Sequence, residues 1–236
     1  DYERELTEIL RSQASDEEIR EKFEGYHEND IAAILEDLTP EERKKLYRIL
    51  GVDFISEVFA YVEDVGKYIE ELDAEKAADI IESMDADDAV DILDELEDEK
   101  SDEIFQLMNE DAREDVELIH SYDENQIGSK MTTNFIEIKR GSTVRQAMKE
   151  LVEQAAENDN ITTLYVAEED GTFYGAIDLK DLIIARQYVD LEDLITTSYP
   201  YVYAKESIDE CIEELKDYSE DSIPVLDNDN HIIGVI

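Results

Sequence analysis

The stretch Asp85-Ala-Asp-Asp-Ala-Val-Asp-Ile-Leu-Asp-Glu-Leu-Glu-Asp-Glu99 carries nine carboxylates in fifteen residues and no base. It is patterned all the same. Ala89, Ile92, Leu93 and Leu96 recur at helical spacing, so one face can be buried. Asp87, Asp91 and Asp94 follow at steps of four and three and share another side of the helix. Stacked like charges repel by about a few tenths of a kcal/mol per pair. The plain reading of this face is a solvated acidic surface; the sharper one is a surface that a divalent cation would relieve.

Outward from this stretch the frame repeats. Ala77-Ile81-Met84, Ala89-Leu93-Leu96 and Ser101-Phe105-Met108 are the same triplet advanced by twelve residues each time. Ile55-Phe59-Val62 and Val65-Ile69-Leu72 follow it more loosely. Each unit predicts a helix of two to three turns. Helices that short are marginal alone and take their stability from stacked neighbours, so residues 1–125 read as a superhelical stack. Nearer the start, Tyr2 to Ser12 is amphipathic, Ser15 with Glu18 reads as a capping box, Asp30 as the cap of a third helix, and Thr39-Pro40 as the start of a fourth that Gly51 ends.

Past Tyr122 the period changes. Phe135 to Ile138, Thr163 to Ala167 and Tyr174 to Ile177 read as strands, with a helix from Val144 after Ser142-Thr143 and another from Asp178 to Arg186. The order then recurs: Tyr201 to Tyr203, a helix capped by Ser207, Ile223 to Leu226, a turn at Asp227-Asn-Asp-Asn230, and Ile232 to Ile236. The fold class is therefore α plus α/β, a helical stack followed by a tandem β-α-β-β-α module. The expected domains are residues 1–125, 126–190 and 191–236, the last one short of its closing helix. The chain opens at Asp1 without methionine and closes within a predicted strand, so it is expected to be a piece of a longer protein.

The formal charge of −45 argues against nucleic acid and anionic membrane surfaces as direct partners. Residues 1–125 hold 43 of the 66 acids, an excess that resists compaction unless cations screen it. With 42% hydrophobic residues the chain still has material for real cores. Cys211 is the sole cysteine, in an apolar pattern with Ile208, Ile212 and Leu215, which excludes a disulfide framework and suggests a buried thiol. His27, His120 and His231 fall in different elements and suit helix ends or surface better than a metal site. Tyr199 and Tyr201 suit either core packing or a dimer interface. No hydrolase or zinc-protease motif is present, and no enzymatic activity is expected.

Met131-Thr132, Ser142-Thr-Val144, the Gly171/Gly175 hairpin with Asp178-Leu-Lys-Asp181, and Ile223-Pro-Val-Leu-Asp227 followed by Gly234 together resemble a pair of cystathionine-β-synthase (CBS) domains. With the acidic helical repeats before them, ending in Ser121-Tyr-Asp123 and Ile127-Gly-Ser-Lys-Met-Thr132, the whole chain is similar to the cytosolic region of an MgtE-type magnesium transporter. The resemblance implies a homodimer formed through the CBS pair, a transmembrane domain following in the full-length protein, and a location on the cytoplasmic face of the cell membrane. It also implies a regulatory role in ion transport: Mg2+ bridges acidic residues of the helical and CBS domains and favours a compact, pore-closed state. Carried over residue by residue, the metal-binding positions are Glu57, Asp87, Asp91 and Asp209. Ser207 and Ser219 stand where the family often has aspartate, which leaves Glu220 as the acid beside Ser219.

ATP or another adenine nucleotide is the second cofactor the resemblance implies, with Asp181 as the ribose-binding acid. Thr163 and Glu220 stand where aromatics are common in such pairs, and Asp178 where Ser or Thr is usual. These departures weigh against nucleotide. Two alternatives stay open: a CBS-domain adenine-nucleotide sensor with a helical interaction scaffold, and a nonspecific acidic cation buffer.

Overall fold

The computed structural model describes residues 2–236, and its contacts divide the chain into one unit up to Glu114 and another from Asp115 to Ile236. The first unit is built of α1 (Tyr2–Arg11), α2 (Asp16–Phe23), α3 (Glu28–Ile34), α4 (Pro40–Leu50), α5 (Val52–Phe59), α6 (Val65–Ile69), α7 (Ala74–Ile81), α8 (Ala86–Glu95) and α9 (Asp98–Leu107), and α10 (Glu110–His120) runs across the division. Ser15 with Glu18 and Thr39 with Glu42 form complete capping boxes at α2 and α4. The third cap differs from the sequence expectation. α3 starts two residues before Asp30, because Nδ1 of His27 accepts the Asn29 N–H at 3.1 Å and does the work of an acidic cap. Leu35 follows it in the 3₁₀ turn Leu35–Asp37.

The repeat is visible in the helix starts. Ala74, Ala86, Asp98 and Glu110 open α7 to α10 at twelve-residue steps. Ala77, Ile81, Ala89, Leu93, Leu96 and Met108 are buried, while Met84, Ser101 and Phe105 are half-buried. The odd-numbered helices pack in succession, α1 on α3, α3 on α5, α5 on α7 and α7 on α9. α2 on α4 and α6 on α8 make a second row. From α1 to α9 each short helix thus packs on one two places along the chain, and α1 on α2, α4 on α5 and α8 on α9 add neighbour contacts, which is how eight-residue segments stay ordered. Within this unit the Arg43 guanidinium is buried and satisfied by the Glu71 carboxylate and by the carbonyls of Leu35 and Leu38.

The second unit contains β1 (Ile136–Lys139), α11 (Val144–Gln154), β2 (Thr163–Ala167), β3 (Phe173–Asp178) and α12 (Leu179–Ile184), then β4 (Val202–Tyr203), α13 (Ile208–Leu215), β5 (Pro224–Leu226) and β6 (Ile232–Val235). They form two three-stranded sheets, β1-β2-β3 and β4-β5-β6, each with a parallel pair and then an antiparallel hairpin. Thr143 and Ser207 form capping boxes at α11 and α13, and Asp178 caps α12. The Asp227–Asn230 segment is a hairpin turn as expected: Asn230 takes φ 63°, and the Asp227 carboxylate accepts the N–H of Asp229 and of His231.

The two modules exchange entry segments. Thr132 pairs with Val235 of β6, 2.9 Å in each direction, so the segment preceding β1 completes the sheet of the second module. Thr196, preceding β4, pairs with Ala176 of β3 in the first. Both exchanges need a glycine on the receiving strand. A Cβ at Gly234 would stand 2.6 Å from the Met131 sulfur, and one at Gly175 2.6 Å from the Thr196 carbonyl oxygen. Between the sheets Tyr165, Ala176, Tyr199, Leu226, Ile232 and Val235 form a shared core. Tyr199 is therefore a core residue, whereas Tyr201 stays exposed.

Candidate metal centre

The N-terminus of α8 gathers charge from a run of four residues. Asp85 is the N-cap, Ala86 turns inward and is buried, and Asp87 and Asp88 follow in the first turn. Each of the three aspartates offers a carboxylate oxygen within 4.8 Å of the other two. Among the described residues, these are the three Asp, Glu, His or Cys side chains close enough to hold one ion together. Oδ1 of Asp87 is buried and makes no hydrogen bond. A buried carboxylate oxygen without a donor is costly unless it is protonated or meets a cation.

The electrostatics agree with the geometry. Burial, and then the charges of Asp88 and Asp85, push the Asp87 carboxyl up to about 6, against partial help from the N–H groups of Asp87 and Asp88. Asp88 is raised too, by desolvation first and then by Asp85 and Asp91, although its side chain keeps access to solvent. The helix N-terminus eases this accumulation of negative charge without cancelling it. Such a donor set fits a hydrated hard cation, which takes one or two carboxylates and keeps water on its remaining positions.

Of the positions expected from sequence, Asp87 is in this group. Asp91 is exposed one turn further along α8 and acts on Asp88 through its charge. Glu57 is exposed on α5 and lies outside the group. In the α/β unit, Asp209 is exposed in the first turn of α13. Glu220 is exposed in the loop after α13, where its charge reaches Tyr165 and Tyr199. Asp181 is exposed on α12. The sequence reading paired Asp87 with Asp91 and missed Asp85 and Asp88; the signal for them was their spacing from a helix start, at the N-cap and three residues after it. Cys211 is buried, and burial, followed by Glu206, pushes its thiol up to about 12, far from a reactive thiolate.

Comparison with known proteins gives a consistent result. The profile of the MgtE intracellular N domain matches residues 26–125, and that of the CBS domain matches residues 125–188 and 191–236. A magnesium transporter MgtE of Enterococcus faecalis is 37% identical over 98% of this chain and 52% of its own length. One of Thermus thermophilus is 26% identical over 55% of this chain and 29% of its own. This chain thus spans about half the length of the first relative and less of the second. Both are named transporters, in line with the non-enzyme reading. A crystal structure of the soluble part of a magnesium transporter superposes with a TM-score of 0.92 at 26% identity, covering 100% of this chain and 93% of that one. A second, of the cytosolic domain of the Mg2+ channel MgtE in complex with ATP, gives 0.86 at 24% identity, over 99% and 96% of the two chains, a likeness of fold.

Proposed function

The chain belongs to the MgtE family, whose N domain and CBS pair it carries in that order, and from that premise we propose that it is a cytosolic Mg2+-sensing regulatory region of a magnesium transporter. The observation that carries this reading is the buried, unpartnered oxygen of Asp87 in the Asp85-Asp87-Asp88 group. Mg2+ binding there removes the cost of three crowded carboxylates, and the state that collects the carboxylates gains the binding free energy. In the whole protein, ions held by Glu57, Asp87 and Asp91 on the helical side and by Asp209 and Glu220 on the CBS side would bridge the two domains and favour a compact state with the pore closed. Moving a two-state equilibrium from 1:99 to 99:1 takes about 5.5 kcal/mol, so about four weak ions at about 1.5 kcal/mol each suffice. Weak sites suit an abundant ion, because a sensor must titrate near its working concentration.

The transmembrane domain lies outside the described residues, none of whose helices is long and apolar enough to cross a membrane. A location on the cytoplasmic face of the cell membrane follows from the family. Dimerisation through the CBS pair is supported by Val152 on α11, Ile183 and Ile184 on α12 and Ile212 on α13, all 60% exposed or more. Sedimentation of the Ile184→Glu variant as a monomer, with the wild type a dimer, is the expected outcome.

An adenine-nucleotide sensor is the second reading, and the donor set fits it less well. Thr163 is buried against Tyr199 and offers no aromatic face, and Glu220 beside them brings a negative charge that disfavours a polyphosphate. The deciding experiment is limited proteolysis and small-angle scattering of the chain with and without millimolar Mg2+. Protection and a smaller radius with Mg2+, both reduced by Asp87→Asn, are expected. Unchanged shape and cleavage would overturn the sensor reading, and compaction by ATP alone would favour the second.

A further inference from the structure

The hairpin turns of the two α/β modules meet, and both are acidic. Glu168-Glu169-Asp170-Gly171 joins β2 to β3, and Asp227-Asn228-Asp229-Asn230 joins β5 to β6. Thr172, just past the first turn, pairs with His231, just past the second, in an antiparallel bridge. The Phe173 N–H donates to the Asn230 carbonyl oxygen at 2.8 Å, so the second turn is held directly on β3 of the other module. His231 stands where the turns touch. Its ring lies against Gly171, where a Cβ would be 3.5 Å from Cδ2 and 3.6 Å from Nε2. On its own turn, Nδ1 is 3.8 Å from Oδ2 of Asp227, beyond hydrogen-bond reach. Oδ1 of that carboxylate already accepts the N–H groups of Asp229 and His231. On the facing turn, Asp170 accepts the Thr172 N–H at 3.0 Å and the Thr172 hydroxyl at 2.8 Å, which places its carboxylate beside the bridge. Glu168 is paired with Arg140, whereas Glu169 and Asp229 are exposed. Lys205 shares a cavity with Asp227 and Asp229. From β1, burial lifts the Glu137 carboxyl above its ordinary value against the pull of His231 and Lys139.

Imidazole is the side chain that ordinarily gains its charge between about pH 8 and about pH 5, a range in which ordinary carboxylates stay ionised. Once protonated, both its nitrogens donate. We propose that His231 is a proton-dependent clasp between the two modules: protonated, it sets a positive charge between two acidic turns and closes on the free oxygen of Asp227; neutral, it leaves the turns to repel. The contribution of the clasp is present at low pH and is lost as pH rises through the imidazole range. Closing the ring on Asp227 also steadies the turn that offers the Asn230 carbonyl to Phe173, a turn in which Asn230 already takes φ 63°. The clasp lies apart from the acidic start of α8 and does not depend on the Mg2+ reading. It gives the α/β unit a proton input of its own.

The test is amide hydrogen exchange of the full chain at about pH 7.5 and about pH 5.5, with wild type and His231→Gln compared at equal pH so that intrinsic exchange rates and the titration of other groups cancel. At the higher pH the two should exchange alike at Phe173. At the lower pH the wild type should be slower there by about threefold, the size of effect a solvent-accessible ion pair gives. Val235, whose N–H is bonded to Thr132 at the other exchanged segment, should show no such difference. Asp227→Asn keeps the turn's acceptor and removes its charge. Relative to wild type it should be less protected at Phe173 at the lower pH than at the higher, and this variant decides the matter if His231→Gln does not fold. A merely structural His231 would leave the variant faster by the same factor at both pH values, which overturns the proposal. Equal exchange at both pH values, the same slowing at Val235, or an Asp227→Asn to wild-type ratio that ignores pH overturns it as well.

Discussion

Two clusters of carboxylates in this chain are treated in opposite ways. In the α/β unit Glu168 and Glu192 share the Arg140 guanidinium at 2.8 and 2.9 Å. That guanidinium lies 3.7 Å over the Tyr174 ring, and the Tyr174 hydroxyl donates to Glu192. The Glu192 carboxyl is held below the ordinary range, first by Arg140 and then by Tyr174. At the start of α8 the charges of Asp88 and Asp85 add to burial in pushing Asp87 up to about 6, and no Lys or Arg occurs between Lys76 and Lys100. The same functional group is neutralised by a resident cation in one place and crowded by its own kind in the other. A built-in arginine holds its carboxylates charged; crowding and burial favour the proton.

The contrast breaks most directly at Asp87. Asp87→Asn should raise the stability of the Mg2+-free chain at pH 7 by about 1–2 kcal/mol, the full shift being discounted for partial exposure, and should remove much of the stabilisation by Mg2+ in thermal melts. The pH dependence has a definite sign. The folded Asp87 holds its proton up to about 6, above its ordinary value of 3.8. Its contribution is fully present below about 4 and is lost as pH rises from about 4 to about 6. Melts of wild type and Asp87→Asn across that window should diverge accordingly; parallel curves would clear Asp87 of the effect. Glu192 runs the other way. Its contribution is present above the ordinary carboxylate value and is lost as pH falls through its depressed one.

Arg140→Ala should sharpen the contrast from the other side, lowering the melting temperature by roughly 2–4 °C with no change in the response to Mg2+. A Mg2+-dependent loss there would show that the cluster is not self-sufficient. The smallest effects belong to the outlying acids. Asp91→Ala and Glu57→Ala should each move the Mg2+ midpoint of compaction upward by roughly two- to threefold, read by scattering, and an unaltered midpoint would remove that residue from the sensor.

Most of the framework was legible in the sequence because it rests on local rules. The twelve-residue step fixed where α7 to α10 begin, and the boxes at Ser15, Thr39, Thr143 and Ser207 are short-range chemistry. The α3 cap was missed because a neutral imidazole can accept a backbone proton, a role more often read into Asp30. The metal candidate was half legible. A steady helical period links Asp87 to Asp91, but at a helix start the backbone leaves the helical path, so Asp85 at the N-cap comes back beside Asp88. The seam of Tyr165, Tyr199 and Ser222 joins residues dozens of positions apart, and no periodicity announces it.

The two rows of short helices bear on how such a chain can change its length over generations. α7 packs on α5 and α9, whereas α8 belongs with α6. Losing a single twelve-residue unit would move every later helix into the opposite row and carry the acids of α8 to the other side of the stack. Losing or duplicating two units together would leave both rows in step. Relatives of this unit should therefore differ in length by pairs of helices, and a natural variant with one unit too few should be found with its carboxylates rebuilt on a different helix.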